Sequence, residues 1–434
     1  MNIEDLKRVV SSTFDFDFSL FFLTTNKILK RPDIKVLFDQ KVTGYPLTKR
    51  QKLSVLLDEK RNLVIAGAGT GKTTTIIGKI LYLLNEKKCK EEEILVMAFS
   101  KAAEGELKER LKSHNVINVK IKTFHALGLE IIRKIYGKEP RITRLQGKAL
   151  IDFINRKIEK SEDPDLNKKL AQYFKKYMIP YSDDIEKSEQ DYLRWKNTTQ
   201  LKTLNGNYVK SYGEYAISNY LFANGFQHSY EEKYPNRSYW PDFHISNSNT
   251  YIEYFGIDKN GKTAPWIPRK KYIDGMQWKK ELHRENGTNL IEITYADIKD
   301  DTWENKLKKQ LENFGYRLSP LSDKEIIKAK VKNSTSNDAK FSKLIQNFLV
   351  LYKSKFKDDF EILNSLISDH HKKKDIRTLT FLNIFKNIFT EYQNYLKQND
   401  EIDFSDMINR STNFIKRDQF LCKWKYIIVD EFQD

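Results

Sequence analysis

The chain has 434 residues and a formal net charge of +17, with 76 Lys and Arg against 59 Asp and Glu. This length predicts two to four domains rather than one. The positive excess favours a polyanionic partner, most commonly nucleic acid, although a lysine-rich proteome would produce the same balance.

The two cysteines, Cys89 and Cys422, are too few for a disulfide framework or a zinc site, which fits a reducing compartment. The N-terminus lacks the apolar core of a signal peptide. No stretch approaches the roughly 20 apolar residues of a membrane span. The expectation is a cytoplasmic protein with no membrane partner.

In chain order, a small accessory region over residues 1–40 is followed by an α/β pattern that starts near Tyr45. Apolar runs over residues 62–66 and 94–99 each precede a helical pattern, which favours parallel strands with crossover helices. Further elements follow in the order helix, helix, three strands, helices and one last strand. They are predicted over residues 146–158, 212–223, 239–245, 250–257, 289–294, 341–397 and 424–430. His370 and His371 are interpreted as part of a solvated loop without a metal.

A glycine-rich loop joins the first predicted strand to the helix predicted over residues 72–84. Its glycines allow a tight turn that points backbone N–H groups at phosphate oxygens, at the positive end of the helix. Lys72 is expected to reach the β- and γ-phosphates, and Thr73 to ligate Mg²⁺. The predicted ligands are ATP and Mg²⁺, with a ligand-free glycine turn as the alternative. The loop consists of Ala66, Gly67, Ala68, Gly69, Thr70, Gly71, Lys72, Thr73 and Thr74.

The last apolar strand ends in the acidic pair Asp430 and Glu431. In a phosphate-loop enzyme such a pair completes the site, because one carboxylate holds Mg²⁺ and the next polarises the attacking water. We therefore predict that Asp430 binds the metal and that Glu431 acts with Lys72 in catalysis.

Six ordered segments resemble the motifs of the UvrD/Rep-type superfamily 1A DNA helicases, in the arrangement of helicase IV-like members. They are YPLTKRQ (the Q motif, residues 45–51), AGAGTGKTT (motif I, 66–74), LVMAFSKAA (motif Ia, 95–103), KTFHALG (122–128), IDFSDMI (402–408) and VDEFQD (motif II, 429–434). One departure is Ala66, where the usual phosphate loop begins with glycine.

The resemblance implies an ATP-dependent DNA helicase that moves 3′→5′ on DNA with single-stranded parts. It places Gln51 at the adenine and Gln433 between the γ-phosphate and DNA. It assigns DNA contacts to Phe99, Ser100, Lys101, Thr123, Phe124 and His125, although Phe99 could instead pack in the core. It also implies that a second RecA-like domain, from further sequence or a partner chain, supplies arginines to ATP. Without that domain, ATP and DNA binding with poor hydrolysis is expected.

The region between these motifs resembles the core of PD-(D/E)xK nucleases, in which two carboxylates hold Mg²⁺ and a lysine activates water. Glu214 lies on a predicted helix, Asp242 follows Pro241, and Glu253 lies on the next strand. The usual lysine position holds Phe255. The substitute is Lys279, on a predicted helix over residues 271–285 that shows Tyr272, Met276, Lys279 and His283 on one face.

Three interpretations of this region stay open. The first is an active nuclease gated by ATP, with a role in defence against foreign DNA. The second is a module that only binds DNA. The third is an unrelated insert in which Asp242 and Glu253 are solvated residues at strand ends.

The predicted fold class is α/β. It combines a RecA-like phosphate-loop domain, built on a parallel sheet with flanking helices, with a large helical plus α/β restriction-endonuclease-like insertion. The motor domain is assigned to residues 41–138 and 399–434. Between them lie a helical insert (139–209), the nuclease-like module (210–300) and a helical subdomain (301–398).

Overall fold

The computed structural model describes residues 18–42, 45–180, 185, 188–198, 201–333 and 340–432. The chain divides into two compact units, one made of Met1–Ile142 with Ile402–Asp434 and the other of Thr143–Glu401. The second unit is thus inserted into the first. Within the described ranges, no helix combines the length and the apolar character needed to cross a membrane.

The first stretch of the outer unit alternates helices with short strands. Its elements are α1 (Phe18–Leu29), α2 (Pro32–Val36), a π-type turn (Leu37–Lys41), α3 (Lys49–Leu56), α4 (Lys72–Asn85), β1 (Ile94–Ala98), α5 (Lys101–Lys112), β2 (Lys120–Thr123), α6 (Phe124–Tyr136) and β3 (Arg141–Ile142).

The inserted unit is mostly helical. Its elements are α7 (Lys148–Glu159), α8 (Pro164–Gln172), a π-type turn (Tyr173–Tyr177), α9 (Glu189–Thr198), α10 (Tyr212–Ala223), β4 (His228–Tyr230), β5 (Phe243–Ile245), β6 (Thr250–Phe255), α11 (Arg269–Glu285), β7 (Asn289–Thr294), α12 (Tyr295–Lys299), α13 (Trp303–Asn313), α14 (Asp323–Lys332), α15 (Lys340–Phe356), α16 (Phe360–Lys372) and α17 (Ile376–Gln398). The chain then passes through β8 (Glu401–Ile402), α18 (Phe404–Lys416) and β9 (Tyr426–Val429).

The outer unit is organised around a parallel sheet of order β2-β1-β9. Strand β1 lies between the other two, with Val96 opposite Ile121 of β2 and Ile428 of β9. All five residues of β1 are buried, as expected for a central parallel strand covered by helices on both faces. The parallel sheet with flanking helices confirms the mixed α/β prediction at this level.

The strand predicted over residues 62–66 is wrong, because no ladder forms there. Its apolar residues Leu63, Val64 and Ile65 are 70%, 49% and 92% exposed. A strand needs a hydrogen-bonded neighbour, and within the described part of the chain β9 pairs only with β1. An apolar pattern therefore does not suffice where no pairing strand lies alongside.

The inserted unit has two main cores. One is helical and contains residues of α7, α8, α14, α15, α16 and α17. The other fills the space between α10, α13 and a four-stranded sheet of order β4-β5-β6-β7. In this sheet β6 is antiparallel to β5 and parallel to β7. The loop predicted at His370 and His371 is wrong, since both residues lie in the last turn of α16, where His370 Nδ1 is 3.1 Å from Asp375 Oδ2.

Gly128 sets the approach of α6 to α18 in the outer unit. A Cβ atom at this position would lie 2.9 Å from the Met407 carbonyl oxygen and 3.1 Å from Ser411 Oγ. Both values are shorter than a normal carbon–oxygen contact, and the nearest atom belongs to the backbone. Glycine is therefore required for this helix pair to pack as closely as it does.

We expect Gly128→Val to lower the free energy of unfolding by about 1–3 kcal/mol, because the added atoms must push α18 away. Urea denaturation of the full chain measures the change. The control is Gly105→Ala on α5, where a Cβ atom meets nothing within 4 Å. That change should leave stability equal or raise it by up to about 1 kcal/mol. Equal midpoints for wild type and Gly128→Val would contradict the packing argument.

Candidate functional site

The glycine-rich loop turns sharply into α4. Gly69 and Gly71 have φ values of +72° and +83°, a conformation that L side chains rarely adopt. Within the loop, the Thr70 hydroxyl donates to the Gly67 carbonyl over 2.8 Å. The helix begins at Lys72, so the loop lies at the N-terminus of a 14-residue helix. The backbone N–H groups in the first turn of a helix have no acceptor within the helix and favour an anion.

The Gln51 side chain forms a hydrogen bond to this loop and another to the start of α3. Its Nε2 donates to the Thr70 carbonyl over 3.1 Å, and its Oε1 accepts from the Thr48 backbone N–H over 2.9 Å. The second bond belongs to a capping box that starts α3. A Cβ atom on Gly71 would lie only 2.6 Å from Gln51 Nε2. Gln51, predicted at the adenine, therefore also contacts the loop that precedes Lys72.

The acidic pair lies at the carboxyl end of β9. The Asp430 N–H donates to the Met97 carbonyl over 2.9 Å, which continues the pairing with β1. Asp430 is buried, and Glu431 follows with φ of +50°. The Lys72 ammonium lies 2.6 Å from a Glu431 carboxylate oxygen, although the two residues are 359 positions apart. The structure thus brings the three predicted catalytic residues together, while Gln433 lies outside the described residues.

The donor set at this site suits Mg²⁺ bound together with a nucleotide. Thr73 offers a hydroxyl and Asp430 a carboxylate, both hard oxygen ligands. No cluster of three or more His, Cys, Asp and Glu able to hold a metal occurs in the described part of the chain. Mg²⁺ in such sites takes one or two protein oxygens and completes its shell with phosphates and water. The residues present therefore fit a metal that arrives with ATP.

The predicted DNA contacts follow β1 and β2, next to the acidic pair at the same edge of the sheet. Ser100 and Thr123 cap α5 and α6, where their hydroxyl oxygens accept from the Ala103 and Ala126 N–H groups. Each hydroxyl keeps its hydrogen for another acceptor, and each helix start favours an anion.

Aromatic side chains lie among these caps. Phe99 is 58% and Phe124 45% exposed, so Phe99 does not pack in the core. The His125 ring meets Phe404 edge to face at 5.1 Å. Lys101 is exposed at the start of α5. The six residues thus combine hydroxyls, one cation and ring faces. Proteins in general use positive charge and aromatic faces to bind single-stranded nucleic acid.

A second group of carboxylates lies in the inserted unit. Glu214 on α10 is buried, and its carboxylate accepts from Tyr230 OH at 2.6 Å, Ser211 Oγ at 2.9 Å and the Lys210 N–H at 2.8 Å. Asp242 Oδ2 accepts from the Tyr254 N–H at 2.6 Å. Burial, followed by the Glu253 and Glu214 carboxylates, raises the pKa of Asp242 well above its usual value.

Glu253 on β6 is 1% exposed and forms an ion pair with Lys279 of α11, with 2.6 Å between Nζ and Oε2. The predicted approach of Lys279 to the acidic strand is confirmed. Glu253 is buried, so the interpretation that it is solvated at a strand end is wrong for this residue. Burial raises the pKa of Glu253, and the Lys279 ammonium opposes the rise. Tyr230 and Tyr239, which donate to Glu214 and Glu253, have no sequence spacing that would have marked them as part of this group.

The oxygens of Glu214 and Glu253 that could bind a metal already accept hydrogen bonds. Glu214 already accepts three hydrogen bonds, and each Glu253 oxygen accepts one. A divalent cation would therefore have to replace some of these donors, and Lys279 is the one that could move most freely at the end of its side chain.

The protein is thus a mixed α/β protein in which the glycine-rich loop before Lys72 lies beside the acidic pair that follows β9. Residues 47–434 match the family described as UvrD/REP helicase N-terminal domain. The chain therefore belongs to the UvrD/Rep helicase family.

Individual relatives match over shorter segments. ATP-dependent DNA helicase Rep of Buchnera aphidicola subsp. Schizaphis graminum is 45% identical over 92 residues, which cover 20% of this chain and 14% of that protein. DNA helicase IV of Escherichia coli is 34% identical over 110 residues, or 25% and 16% of the two chains. ATP-dependent DNA helicase SRS2 of Saccharomyces cerevisiae is 36% identical over 93 residues, or 20% and 8%. The matches thus span a small part of each relative's length.

Burial raises the pKa of Asp430, and the Glu431 carboxylate adds to the rise. The folded chain therefore holds this proton more tightly than the unfolded chain, and ionisation of Asp430 destabilises the fold as the pH rises. We expect Asp430→Asn, which keeps the oxygen that accepts from the Glu431 N–H, to raise the melting temperature without nucleotide at pH 7.

The gain should shrink as the pH falls toward the ordinary aspartate pKa of about 3.9, because both states are then protonated. Thermal scans at several pH values measure it, with Asp152→Asn on the exposed face of α7 as the control. A melting temperature for Asp430→Asn at or below that of wild type at pH 7 would contradict the account.

Proposed function

We propose that this chain provides the ATP-binding part of a DNA helicase that moves 3′→5′ along one strand. The observation that carries the proposal is the meeting of Lys72 with Glu431 beside buried Asp430, at the N-terminus of α4. Lys72 would bind the β- and γ-phosphates, Thr73 and Asp430 would hold Mg²⁺, and Glu431 would orient water. When bound, Mg²⁺ would neutralise developing phosphate charge.

The chain's own residues suggest how ATP and DNA are linked. Ser100 follows β1, Thr123 is the last residue of β2, and the acidic pair follows β9. These side chains therefore lie at the carboxyl edge of one parallel sheet. A small shift of β9 against β1 would therefore change the distance between the acidic pair and the capping hydroxyls. A second RecA-like domain is part of this proposal, as the source of arginines that act on the γ-phosphate.

We expect Lys72→Ala to weaken Mg²⁺–ATP binding by at least about tenfold, since a charge-assisted contact to phosphate is lost. Isothermal titration calorimetry on the full chain measures it. Lys112→Ala at the exposed end of α5 is the matched control and should leave affinity unchanged.

Equal ATP affinities for wild type and Lys72→Ala would argue against the assigned site. Direction is tested separately, with the second RecA-like domain present, on duplexes that carry one single-stranded tail. Separation of strands from a 5′ tail and not from a 3′ tail would contradict 3′→5′ movement.

A second candidate function is cleavage of DNA by the inserted unit, controlled by ATP. One observation favours it. Glu253 on β6 forms an ion pair with Lys279, and burial together with the same carboxylate raises the pKa of the neighbouring Asp242. In this proposal Asp242 and Glu253 bind a divalent cation, and Lys279 helps to activate water. Glu214 would then orient the site through Tyr230 and Ser211.

We expect the full chain to nick supercoiled plasmid DNA in the presence of Mn²⁺. Asp242→Asn and Lys279→Ala should each reduce nicking by at least about 100-fold, because one removes a metal ligand and the other a catalytic ammonium. Lys280→Ala, the neighbour that pairs with Glu292 instead, is the matched control for Lys279. Nicking that is absent in wild type, or equal in Asp242→Asn, would rule out this activity.

A further inference from the structure

A buried hydrogen-bond chain leads away from the Glu253 carboxylate. Tyr239 OH donates to Glu253 Oε1 over 2.5 Å and lies 3.2 Å from His283 Nε2. His283 Nδ1 lies 2.7 Å from Thr288 Oγ1, which lies 3.0 Å from Tyr234 OH. These hydrogen bonds link β6, the loop before β5, α11 and Thr288, the residue before β7. We refer to Tyr234, Thr288, His283 and Tyr239 as the relay.

The protons of the relay have a defined direction. A carboxylate only accepts, so the single Tyr239 proton must point at Glu253. Tyr239 can then only accept from His283, which places the imidazole proton on Nε2. With its hydrogen on Nε2, His283 has an acceptor at Nδ1. The Thr288 hydroxyl lies 2.7 Å from that Nδ1 and 3.3 Å from the His283 carbonyl oxygen, so the shorter contact is assigned to its hydrogen and Thr288 in turn accepts from Tyr234. Every donor therefore points toward Glu253, and such aligned bonds strengthen one another in a buried setting.

Burial makes this arrangement costly to break. Glu253 and His283 are each 1% exposed, and Tyr239 is 4% exposed. The two Glu253 oxygens are shared between two donors, with Lys279 on Oε2 and Tyr239 on Oε1. The Lys279 ammonium is at the end of a flexible side chain, whereas the Tyr239 ring is held by contacts with the Tyr234 and His283 rings. The fixed partner of Glu253 is therefore Tyr239.

We propose that Tyr239 and His283 are positioning residues that hold the Glu253 carboxylate in the orientation needed to bind a divalent cation. This inference rests on the nuclease activity proposed above and names the residues that support its acidic strand. The arrangement is similar in principle to the outer partners that orient metal ligands elsewhere, whose loss typically weakens metal binding 10- to 100-fold.

The test is the Mn²⁺ affinity of the full chain, measured by calorimetry in an Asp430→Asn background so that the ATP site does not contribute. Tyr239→Phe and His283→Leu should each weaken Mn²⁺ binding by about tenfold or more. His283→Gln should keep most of the Mn²⁺ affinity that His283→Leu loses, because the glutamine amide can donate to Tyr239. Tyr251→Phe is the matched control, since Tyr251 lies in the same ring cluster outside the relay. Unchanged affinity in Tyr239→Phe would overturn the proposal.

A spectroscopic readout separates this inference from the nuclease function. The Glu253 carboxyl ¹³C resonance, assigned with Glu253→Gln, should shift in Tyr239→Phe and His283→Leu and return in His283→Gln. ¹⁵N-labelled histidine should show His283 protonated on Nε2. If the Asp430→Asn parent binds no Mn²⁺, the nuclease proposal fails, and the carbon resonance alone then tests whether the relay orients the Glu253 carboxylate. A resonance unmoved in both variants would overturn the positioning role.

Discussion

The parallel pairing of β9 with β1 is the constraint on which the first site depends. The chain leaves the outer unit after Ile142 and returns at Ile402, so nothing in the local sequence brings the acidic pair to the glycine-rich loop. The register that places Met97 opposite Val429 does so, and the bond from the Asp430 N–H to the Met97 carbonyl extends it by one residue. The Lys72–Glu431 contact follows from that register.

The contact between Lys72 and Glu431 also suggests an order of events for the proposed ATPase. Both side chains are about one-third exposed, so the pair is accessible to an incoming ligand. A triphosphate carries more charge than one carboxylate and would compete for the ammonium. Lys72 would then turn to phosphate, which frees Glu431 for water. Because exposed pairs of this kind contribute little stability, the exchange costs little.

Much of this arrangement could be predicted from the sequence, and the misses have physical causes. The helix over Tyr212–Ala223 and the strand over Asn289–Thr294 agree with their predicted bounds, because capping residues and apolar pattern point the same way there. The approach of Lys279 to Glu253 was predicted from the resemblance to PD-(D/E)xK nucleases together with the helical spacing of Lys279. Residues 62–66 were mispredicted because pairing depends on a neighbour that an apolar pattern does not specify. The relay was not predictable, because Tyr239, His283 and Thr288 have no fixed spacing and meet only through the fold.

We propose that two segments far apart in the chain form one Mg²⁺–ATP site. The most direct test of this proposal is the ATP affinity of wild type and Asp430→Ala, measured by calorimetry with and without Mg²⁺. We expect Mg²⁺ to strengthen ATP binding in wild type and Asp430→Ala to abolish this gain, whereas metal-free ATP binding should be the same in both. An equal Mg²⁺ gain in Asp430→Ala would contradict the proposal.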